Sequence, residues 1–471
     1  METSSFNHET EDSFRDHLAT IDKSGKRIWV YAKKPSGSLT TARNILGFFL
    51  LAFFISAPFI KIDGEQLLLF DFIHRKFVFF GTQFWPQDFH LFFLVMITVM
   101  VFVILFTVTY GRLFCGWACP QTIFMELIFR RIEYWMEGSP AKQKELARAP
   151  WNFNKIWRKT LKHLMFYGIS FMIGNYFLMY LIGSDSWMKL VTDNPENHLA
   201  GLLGMTVFSF IFYFIFSWFR EQVCTIVCPY GRLQGVLLDK NSIVISYDYQ
   251  RGEKRALYKP NEIRESQGKG DCVDCLQCVQ VCPTGIDIRN GTQLECINCA
   301  CCIDACNAVM KRYKFRKGLI RYASEKMVVG NEKFRLTTRI FAYSGVLLLL
   351  IGVITYFLSS RNPVESTVLR KPGMLYQDMG NGIISNLYDI KLVNKTNSDY
   401  PVELRLLSHD GTIQIIGNQV LLKKQSTGES TFFVFIDKKH ISSSGNKLKI
   451  GVFSNGKELD ETTATFIGPK N

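Results

Sequence analysis

Five long apolar runs constrain the fold of this chain of 471 residues more than its other features. They cover residues 44–60, 90–110, 161–183, 199–219 and 339–358. A helix needs about 20 apolar residues to cross the hydrocarbon core of a bilayer, and all but the first run reach that length. No charged residue interrupts the stretch LFFLVMITVMVFVILFTV in the second run, which is unusual for a core helix of a soluble protein. The runs therefore predict a helical membrane domain of five spans.

Lysine and arginine are distributed unevenly between the loops. They are frequent in the N-terminal tail and in the loop after the second run, which includes Arg112 and Arg130, whereas the loop between the third and fourth runs carries only Lys189. Because cytoplasmic loops of membrane proteins are enriched in these residues, we expect the tail and the loops after the second and fourth runs to be cytoplasmic. The part after the fifth run is then exported. We attribute the net charge of +14 to this bias and not to nucleic-acid binding, since no basic motif interleaved with aromatic residues is present.

The 43 residues before the first run are polar and charged, without a short apolar core near Met1. We therefore expect no cleaved signal peptide.

All 13 cysteines lie between Cys115 and Cys306, in the part assigned to the cytoplasmic side. Structural disulfides would favour the exported part instead, so we interpret these thiols as metal-binding or redox groups. Two segments, CVDCLQCVQVCPTG and CINCACCIDAC, share the spacing C-x2-C-x2-C-x3-C. This spacing is typical of bacterial ferredoxins with two [4Fe–4S] clusters, in which three thiolates of one run and the last thiolate of the other hold each cluster.

The spacing assigns four cysteines to each cluster. The first cluster would be held by Cys272, Cys275, Cys278 and Cys306, and the second by Cys296, Cys299, Cys302 and Cys282. Zinc is the alternative metal, because C-x2-C pairs also build zinc sites. Cys301 is an additional thiol, which we interpret as a neighbour of the second cluster, with an exchange of ligand roles with Cys302 left open. Asn307 stands where the first run has a proline.

A second kind of cysteine motif follows the second and fourth runs. The segments YGRLFCGWACPQ and REQVCTIVCPYG place Cys115 and Cys119, and Cys224 and Cys228, before a proline. Because proline disfavours a helix before it and suits the first turn of a new helix, Cys119 and Cys228 should each stand at a helix start. A thiol in that position has a lowered pKa, so we expect one thiolate in each pair. Four converging thiols could bind copper, bind a third iron–sulfur cluster or cycle between dithiol and disulfide, and the alternative is that they only fill gaps between helices.

The region after the fifth run contains short alternating stretches such as YDIKLVNKT and STFFVFID, separated by turn residues. This pattern predicts an antiparallel β-sandwich of immunoglobulin type. The chain is thus predicted to be a multi-domain membrane protein, a five-span α-helical bundle with a ferredoxin-like α+β insert and a C-terminal β-sandwich. Its predicted parts are a cytoplasmic tail (1–43), a four-span domain (44–220), the cytoplasmic insert (221–335), the fifth span (336–360) and the exported domain (361–471).

Taken together, the two C-x3-C-P motifs, the doubled cluster motif, the five spans and the exported domain resemble the CcoG/FixG/RdxA family of cytochrome c oxidase accessory proteins. The resemblance implies a protein of the bacterial inner membrane that acts in the assembly of cbb3-type oxidase by reducing Cu(II) to Cu(I). It implies oxidase subunits or copper chaperones as partners, besides membrane lipid and a cytoplasmic electron donor that the sequence does not identify. It also implies two [4Fe–4S] clusters on the eight insert cysteines and a catalytic or copper-binding role for Cys115, Cys119, Cys224 and Cys228.

Two other functions are compatible with the same pattern. The plan of the chain also resembles NapH-type quinol dehydrogenases, which would make it an electron conduit from the quinol pool. It could also be a non-catalytic scaffold whose β-domain docks an oxidase subunit. Cluster reduction by a quinol analogue would favour the conduit, and partner binding without the cluster cysteines would favour the scaffold.

Overall fold

The computed structural model describes most of the chain. The described residues are 20–22, 24–62, 64–72, 76–84, 89–260, 262–330, 337–360, 362–373, 375–380, 382–396, 398–408, 410–417, 421–424, 426–441 and 445–469.

The α-helices follow the apolar runs and the cysteine motifs. They are α1 (Ser38–Ser56), α2 (Phe89–Tyr110), α3 (Leu113–Trp117), α4 (Pro120–Ile123), α5 (Arg130–Met136), α6 (Pro140–Arg148), α7 (Phe153–Ile182), α8 (Ser184–Thr192), α9 (Leu199–Phe214), α10 (Pro229–Leu237), α11 (Tyr249–Gly252), α12 (Gln277–Gln280), α13 (Cys301–Arg312), α14 (Glu325–Val329) and α15 (Thr338–Ser359). Segments of π-helix occupy Phe124–Phe129, Ile215–Phe219 and Val223–Val227, and short 3-10 turns occupy Pro195–His198, Glu265–Gln267, Ile288–Asn290 and Lys438–His440.

The strands fall into three regions of the chain. Between the first two long helices lie β1 (Lys61–Ile62), β2 (Glu65–Gln66), β3 (Leu68–Asp71), β4 (Lys76–Phe79) and β5 (Thr82–Phe84). The insert contains β6 (Val244–Tyr247) and β7 (Ile320–Ala323). The C-terminal region contains β8 (Val364–Arg370), β9 (Gln377–Asp378), β10 (Ile383–Asn394), β11 (Tyr400–Pro401), β12 (Glu403–Leu406), β13 (Gly411–Ile416), β14 (Leu421–Leu422), β15 (Thr427–Asp437), β16 (Asn446–Ser454) and β17 (Lys457–Phe466).

Five helices within the described residues are long and apolar enough to cross a membrane, as the apolar runs predict. They are Ser38–Ser56, His90–Tyr110, Phe153–Ile182, Pro195–Phe219 and Thr338–Ser359. The third begins at Phe153, well before the apolar run, because Asn152 caps it by accepting a hydrogen bond of 2.9 Å from the backbone N–H of Lys155. The first span ends at Ser56, so the last residues of its apolar run lie outside the helix.

The chain divides into two compact units. The first consists of the residues up to Ile60 together with Met96–Leu350, and the second of Lys61–Val95 together with Ile351–Asn471. Most of the length of all five spans and the whole cysteine-rich insert therefore belong to the first unit. In the insert β6 pairs antiparallel with β7, and Met310 and Leu319 are nearly inaccessible in the apolar core beneath this pair.

A carboxylate from the insert closes the N-terminal end of α1. The first backbone N–H groups of a helix lack partners within it, and Gly37, which precedes α1, has no side chain to supply one. Asp304 on α13 accepts hydrogen bonds from the backbone N–H groups of Leu39 and Thr40 at 3.3 and 2.7 Å, and from the Thr40 hydroxyl at 2.8 Å. A Cβ at Gly37 would lie 2.3 Å from Asp304 Cγ, so glycine permits this approach. The first span is thus fastened to the insert by a side chain more than 260 positions away.

The second unit contains the predicted C-terminal β-sandwich. One sheet has the strand order β13-β15-β10-β8, with β9 also paired to β10, and the other has the order β12-β16-β17. Tyr388 and Phe432 stack at 5.6 Å in the core, where both are inaccessible to solvent. The small sheet β3-β4-β5 between the first two spans was not expected from the sequence, because its strands are too short to show a distinct alternation.

Candidate metal centre

The two cluster motifs fold into equivalent loops. Asp274 and Leu276 have φ values of 49° and 55°, and the corresponding Asn298 and Ala300 have values of 53° and 64°. Left-handed backbone is uncommon outside glycine, although Asp and Asn adopt it more readily than most residues. Helices α12 and α13 start directly after Leu276 and Ala300, as their N-cap residues. The same backbone turn therefore positions three cysteines in each motif.

The loops surround two separate cavities. The first is lined by Cys272, Cys275, Cys278 and Cys306, together with Tyr247 and Arg289. The second is lined by Cys282, Cys296, Cys299 and Cys302, and Cys278 also reaches it. The last cysteine of each motif has thus crossed to the cavity of the other motif. The structure brings together the same two sets of thiols that the spacing groups, and their roles as ligands remain predictions.

The chemistry of both cavities suits an iron–sulfur cluster. Each offers four soft sulfur donors in a largely apolar lining, and all 13 cysteines are free of disulfides. Burial raises the pKa of the thiols of Cys278, Cys296 and Cys306 to about 12. Insertion of a cluster would therefore displace protons from these groups. In the described part of the chain, no group of three or more His, Cys, Asp or Glu side chains is arranged to hold a single metal ion.

Cys301 lies beside the second cavity but does not line it. It is 1% exposed and packs with Cys299, Val281 and Ile297. The Arg43 guanidinium donates to Cys301 Sγ at 3.2 Å and to the carbonyl oxygen of Cys299 at 3.4 Å. A hydrogen bond from Cys301 lowers the pKa of the Cys299 thiol and is the main cause of that shift. Cys301 is thus placed as a donor toward a cluster cysteine.

Asn307 does not interrupt helix α13, which continues to Arg312. Its side-chain oxygen accepts a hydrogen bond of 2.9 Å from the backbone N–H of Gly318. The residue that replaces the second proline therefore anchors the chain that leads into β7.

The two Cys-Pro junctions have the backbone that the sequence predicts. Cys119 and Cys228 are extended, with ψ values of 126° and 112°, and Pro120 and Pro229 begin α4 and α10. The expected lowering of the thiol pKa is wrong for Cys119. Burial raises its pKa and outweighs the backbone N–H groups of Thr122 and Gln121, which act in the opposite direction. Helix α4 spans only four residues, so its start provides little compensation for the loss of water.

The thiols of the two pairs are near enough for their charges to act on one another, but in the described part of the chain they do not form a group of three or more that could hold a metal ion. Burial raises the pKa of Cys115 to about 11 and that of Cys224 to about 12, and the charges of the other three pair cysteines contribute to the shift at Cys224. The amide nitrogen of Gln234 on α10 lies 3.5 Å from Cys115 Sγ. Gly231 allows α10 to lie close to the backbone of the second thiol pair, because a Cβ at this position would be 2.4 Å from the carbonyl oxygen of Cys224. We name Cys115, Cys119, Cys224 and Cys228 the four-thiol site.

The four-thiol site adjoins the second cluster cavity. Cys115 packs against the apolar group that contains Cys299 and Cys301. A Cβ at Gly116 would lie 2.3 Å from the carbonyl oxygen of Ile297 and 2.8 Å from the Cα of Cys299, so α3 touches the cluster loop backbone to backbone. Only glycine permits this contact without movement of the loop.

Side-chain hydrogen bonds support the same contact. Trp117 donates to the Tyr322 hydroxyl at 3.1 Å, and this hydroxyl donates to the carbonyl oxygen of Asn298 at 2.7 Å. Arg112 donates to the carbonyl oxygens of Leu294, before the second cluster loop, and Gly231, on α10. The first thiol pair, the second thiol pair and the second cluster loop are therefore joined.

Several buried charged residues that support this arrangement have no distinct signal in the sequence. Arg220 forms two hydrogen bonds of 2.8 and 2.9 Å with the carboxylate of Glu133, and both side chains are buried. Arg130, also buried, contacts Glu126 at 3.1 Å and the carbonyl oxygen of Pro283 at 3.4 Å. From the sequence, arginines that follow apolar runs indicate only the orientation of the chain in the membrane. A single sequence does not show that these charges are buried.

Three family models match the chain in the order of these regions. A 4Fe–4S binding domain matches residues 92–139, which contain the first thiol pair. A 4Fe–4S dicluster domain matches residues 219–325, and an immunoglobulin-like fold found at the C-terminus of FixG matches residues 354–469.

Characterised relatives align with most of the chain. Protein RdxA of Cereibacter sphaeroides is 32% identical over 79% of this chain and 81% of its own length. Protein RdxB of the same organism is 33% identical over 80% of this chain and 82% of its own length. The chain belongs to the FixG/RdxA family. Nitrogen fixation protein FixG of Rhizobium meliloti is 37% identical over 64% of this chain, and the match spans 58% of FixG.

Membership of the FixG/RdxA family agrees with the fold described above. It identifies the protein as a membrane iron–sulfur protein of electron transfer, with a dicluster domain and a C-terminal immunoglobulin-like domain. The match to the 4Fe–4S dicluster model favours iron–sulfur clusters over zinc in the two cavities.

Proposed function

We propose that this protein transfers single electrons through its iron–sulfur clusters to the four-thiol site and there reduces Cu(II) to Cu(I), for the copper centre of a cbb3-type cytochrome c oxidase. The observation that carries the proposal is the contact of Cys115 and Gly116 with the second cluster loop. Copper would have to draw the thiols closer together on binding, and copper bound there, beside a cluster cavity, could receive electrons without a mobile carrier.

The chemistry of the four thiols suits copper as the substrate. Thiolates are soft ligands that favour Cu(I). Each Cu(II) ion takes up one electron, and an iron–sulfur cluster supplies electrons one at a time. The raised pKa values of Cys115 and Cys224 mean that copper would displace protons from both thiols on binding.

The residues around the site would hold it together while copper binds. Gln234 contacts Cys115, and Arg112 joins α10 to the second cluster loop. Burial of all four thiols to intermediate degree limits the access of water and of competing oxidants. The chain thus provides partly buried thiols beside the second cluster loop.

The positive charge of the N-terminal tail and of the loops after the second and fourth spans supports an orientation with the insert in the cytoplasm of a bacterial inner membrane. The C-terminal domain would then face the periplasm, where it could contact an oxidase subunit or a copper chaperone. Antibody or cysteine labelling of intact cells tests this arrangement, and labelling of residues 272–306 from the outside would contradict it.

A double variant of the first thiol pair tests the proposal. Cys115→Ser with Cys119→Ser should reduce the rate of Cu(II) reduction to the uncatalysed background, because two of the four soft donors are lost. Both clusters should remain visible by electron paramagnetic resonance. The control is Thr225→Ser, which lies between the cysteines of the second pair and changes no thiol. Unchanged copper reduction in the double variant would reject the proposal.

A second function is favoured by the 4Fe–4S model that covers the first thiol pair. The four thiols would then hold a third cluster and conduct electrons from the quinol pool, as in NapH-type quinol dehydrogenases. Iron and sulfide analysis of anaerobically purified protein separates the two functions. About eight irons per chain with bound copper supports copper reduction, whereas about twelve irons and rapid reduction by a quinol analogue support the conduit.

A further inference from the structure

A groove on the first unit reaches the first cluster cavity. Cys275, Gln277 and Val309 line both the groove and the cavity. Of the thirteen cysteines, all within the described residues, Cys275 is the only one that is exposed. The neighbouring Leu276 is 45% exposed. A molecule in solution can therefore approach the first cluster at its exposed cysteine, Cys275.

The wall of this groove is basic. Lys33, Lys34 and Arg312 line it, and all three are exposed. Lys33 and Lys34 also line an adjoining depression that contains Lys144. Among the described residues that line the groove and the depression, none is Asp or Glu.

The nearest carboxylate on the cluster loop is already paired. Asp274, next to Cys275, forms an ion pair with Arg289, which also pairs with Asp287 at 2.6 Å. This carboxylate therefore offsets an internal guanidinium and does not neutralise the lysines of the groove. Arg312 lies at the end of α13, where a cation also offsets the helix dipole, but Lys33 and Lys34 lie outside any helix or strand and have no such role.

We infer that an acidic protein that carries single electrons docks in this groove and reduces the first cluster through the wall formed by Cys275. The inference rests on the proposed function and identifies the class of its electron donor. One electron would leave the donor and enter the cluster that Cys272, Cys275, Cys278 and Cys306 would hold, and the chain would transfer no bond or proton. Opposite charges would steer the encounter, and the exposed Leu276, next to Cys275, would provide an apolar contact beside the groove.

Other electron donors fit the groove less well. A nicotinamide gives up two electrons as hydride, which a single [4Fe–4S] cluster cannot accept. A quinol resides in the apolar phase of the membrane, whereas Lys33, Lys34 and Arg312 make the wall of the groove basic and exposed. Lys33 and Lys34 precede α1 by a few residues, so an anionic lipid surface is the other source of negative charge. A cluster cysteine in the wall favours the protein donor.

Charge reversal in the groove tests the inference. The probe is a reduced acidic [2Fe–2S] ferredoxin, mixed by stopped flow with the full-length protein in detergent, and the loss of visible cluster absorbance reports electron uptake. We expect Lys33→Glu with Lys34→Glu to lower the second-order rate constant at least about tenfold at low salt and to weaken its dependence on ionic strength. Reduction by dithionite should stay unchanged. In the control Lys326→Glu, the same lysine-to-glutamate change is made at an exposed residue outside the groove.

A second double variant separates the effect of charge from an effect of lost structure. Lys33 donates to Gln277 at 3.0 Å, so its replacement also removes a contact to the cluster segment. Lys34→Glu with Arg312→Glu leaves this contact intact and should lower the rate by a similar factor. Cluster content measured by electron paramagnetic resonance checks both variants.

Two outcomes overturn the inference. One is an unchanged rate with the ferredoxin in both variants. The other is that the variants lose affinity only for vesicles that contain phosphatidylglycerol, which would assign the lysines to the lipid surface. Copper reduction by protein whose clusters were first reduced with dithionite, and which was then freed of the excess reagent, separates this inference from the proposed function, because it bypasses the groove. Its absence in the unmodified protein would reject copper reduction and leave the docking result standing.

Discussion

The two cluster loops have the same ligand spacing and the same left-handed backbone positions, yet their surroundings differ. The loop from Cys272 to Cys278 reaches the surface at Cys275 and borders a basic groove. The loop from Cys296 to Cys302 is enclosed by α3 and by Arg43 of the first span. The repeated motif accounts for the positions of the sulfur atoms, whereas the neighbours decide which cluster meets a donor and which meets the four-thiol site.

Each loop also has its own buried or half-buried guanidinium. Arg289 lines the first cavity and is paired with Asp274 and Asp287. Arg43 contacts Cys301 and the backbone of Cys299 beside the second. Among the hydrogen bonds and ion pairs of the described residues, none joins Arg43 to a carboxylate. We therefore expect its positive charge to favour electron uptake at the second cluster. This arrangement would draw electrons from the first cluster toward the second.

The largest effect is expected when the contact between α3 and the second cluster loop is broken. Gly116→Ala introduces a methyl group where the carbonyl oxygen of Ile297 and the Cα of Cys299 leave no room, so α3 must move away from the loop. Crowding of this kind costs about 1–3 kcal/mol of stability. The rate of copper reduction should fall at least about tenfold, because the electron path lengthens.

Gly168→Ala is the control for this variant, since a Cβ there meets no atom within 4 Å. Stopped-flow reduction of the clusters by dithionite should remain normal in both variants. Normal copper reduction in Gly116→Ala, with the clusters present, would show that the contact does not carry the electrons.

A smaller effect is expected when the two guanidinium groups are removed in turn. Arg43→Gln should lower the reduction potential of the second cluster by tens of millivolts, because loss of a nearby positive charge disfavours the added electron. Arg289→Gln should lower the potential of the first cluster instead. Redox titration followed by electron paramagnetic resonance distinguishes the two signals. Equal shifts of both clusters in either variant would contradict the separate surroundings described here.

The smallest effect is expected at Cys301. Cys301→Ser should keep about eight irons per chain, because Cys301 lines neither cavity. The serine hydroxyl can still donate toward Cys299, so the potential of the second cluster should change little. Cys299→Ser is the matched comparison and should lose the second cluster. Loss of iron in Cys301→Ser would instead give Cys301 a ligand role.

Much of this architecture could be predicted from sequence because it rests on local patterns. Continuous apolar runs gave the five spans, and fixed cysteine intervals gave two loops whose backbone repeats. The Cys-Pro junctions gave the starts of α4 and α10. Each of these patterns requires only a short window of residues.

The remaining features depend on contacts between distant segments. Arg112 and Arg130 were interpreted as loop charges, but both are buried and donate to backbone carbonyl groups near the cluster loops. The pKa of Cys119 was expected to fall, but burial by other segments raises it. The contact of Gly116 with the loop at Ile297 joins residues far apart in the chain, and no interval in the sequence indicates it.

The capping of α1 by Asp304 has a consequence for the order of biosynthesis. A ribosome makes the chain from the N-terminus, so the first span is synthesised long before residue 304 exists. The N–H groups of Leu39 and Thr40 must rely on water or other temporary partners during that interval. The nascent helix therefore reaches its final anchorage only after the cysteine-rich insert has been translated and folded, which ties maturation of the membrane part to delivery of iron and sulfide.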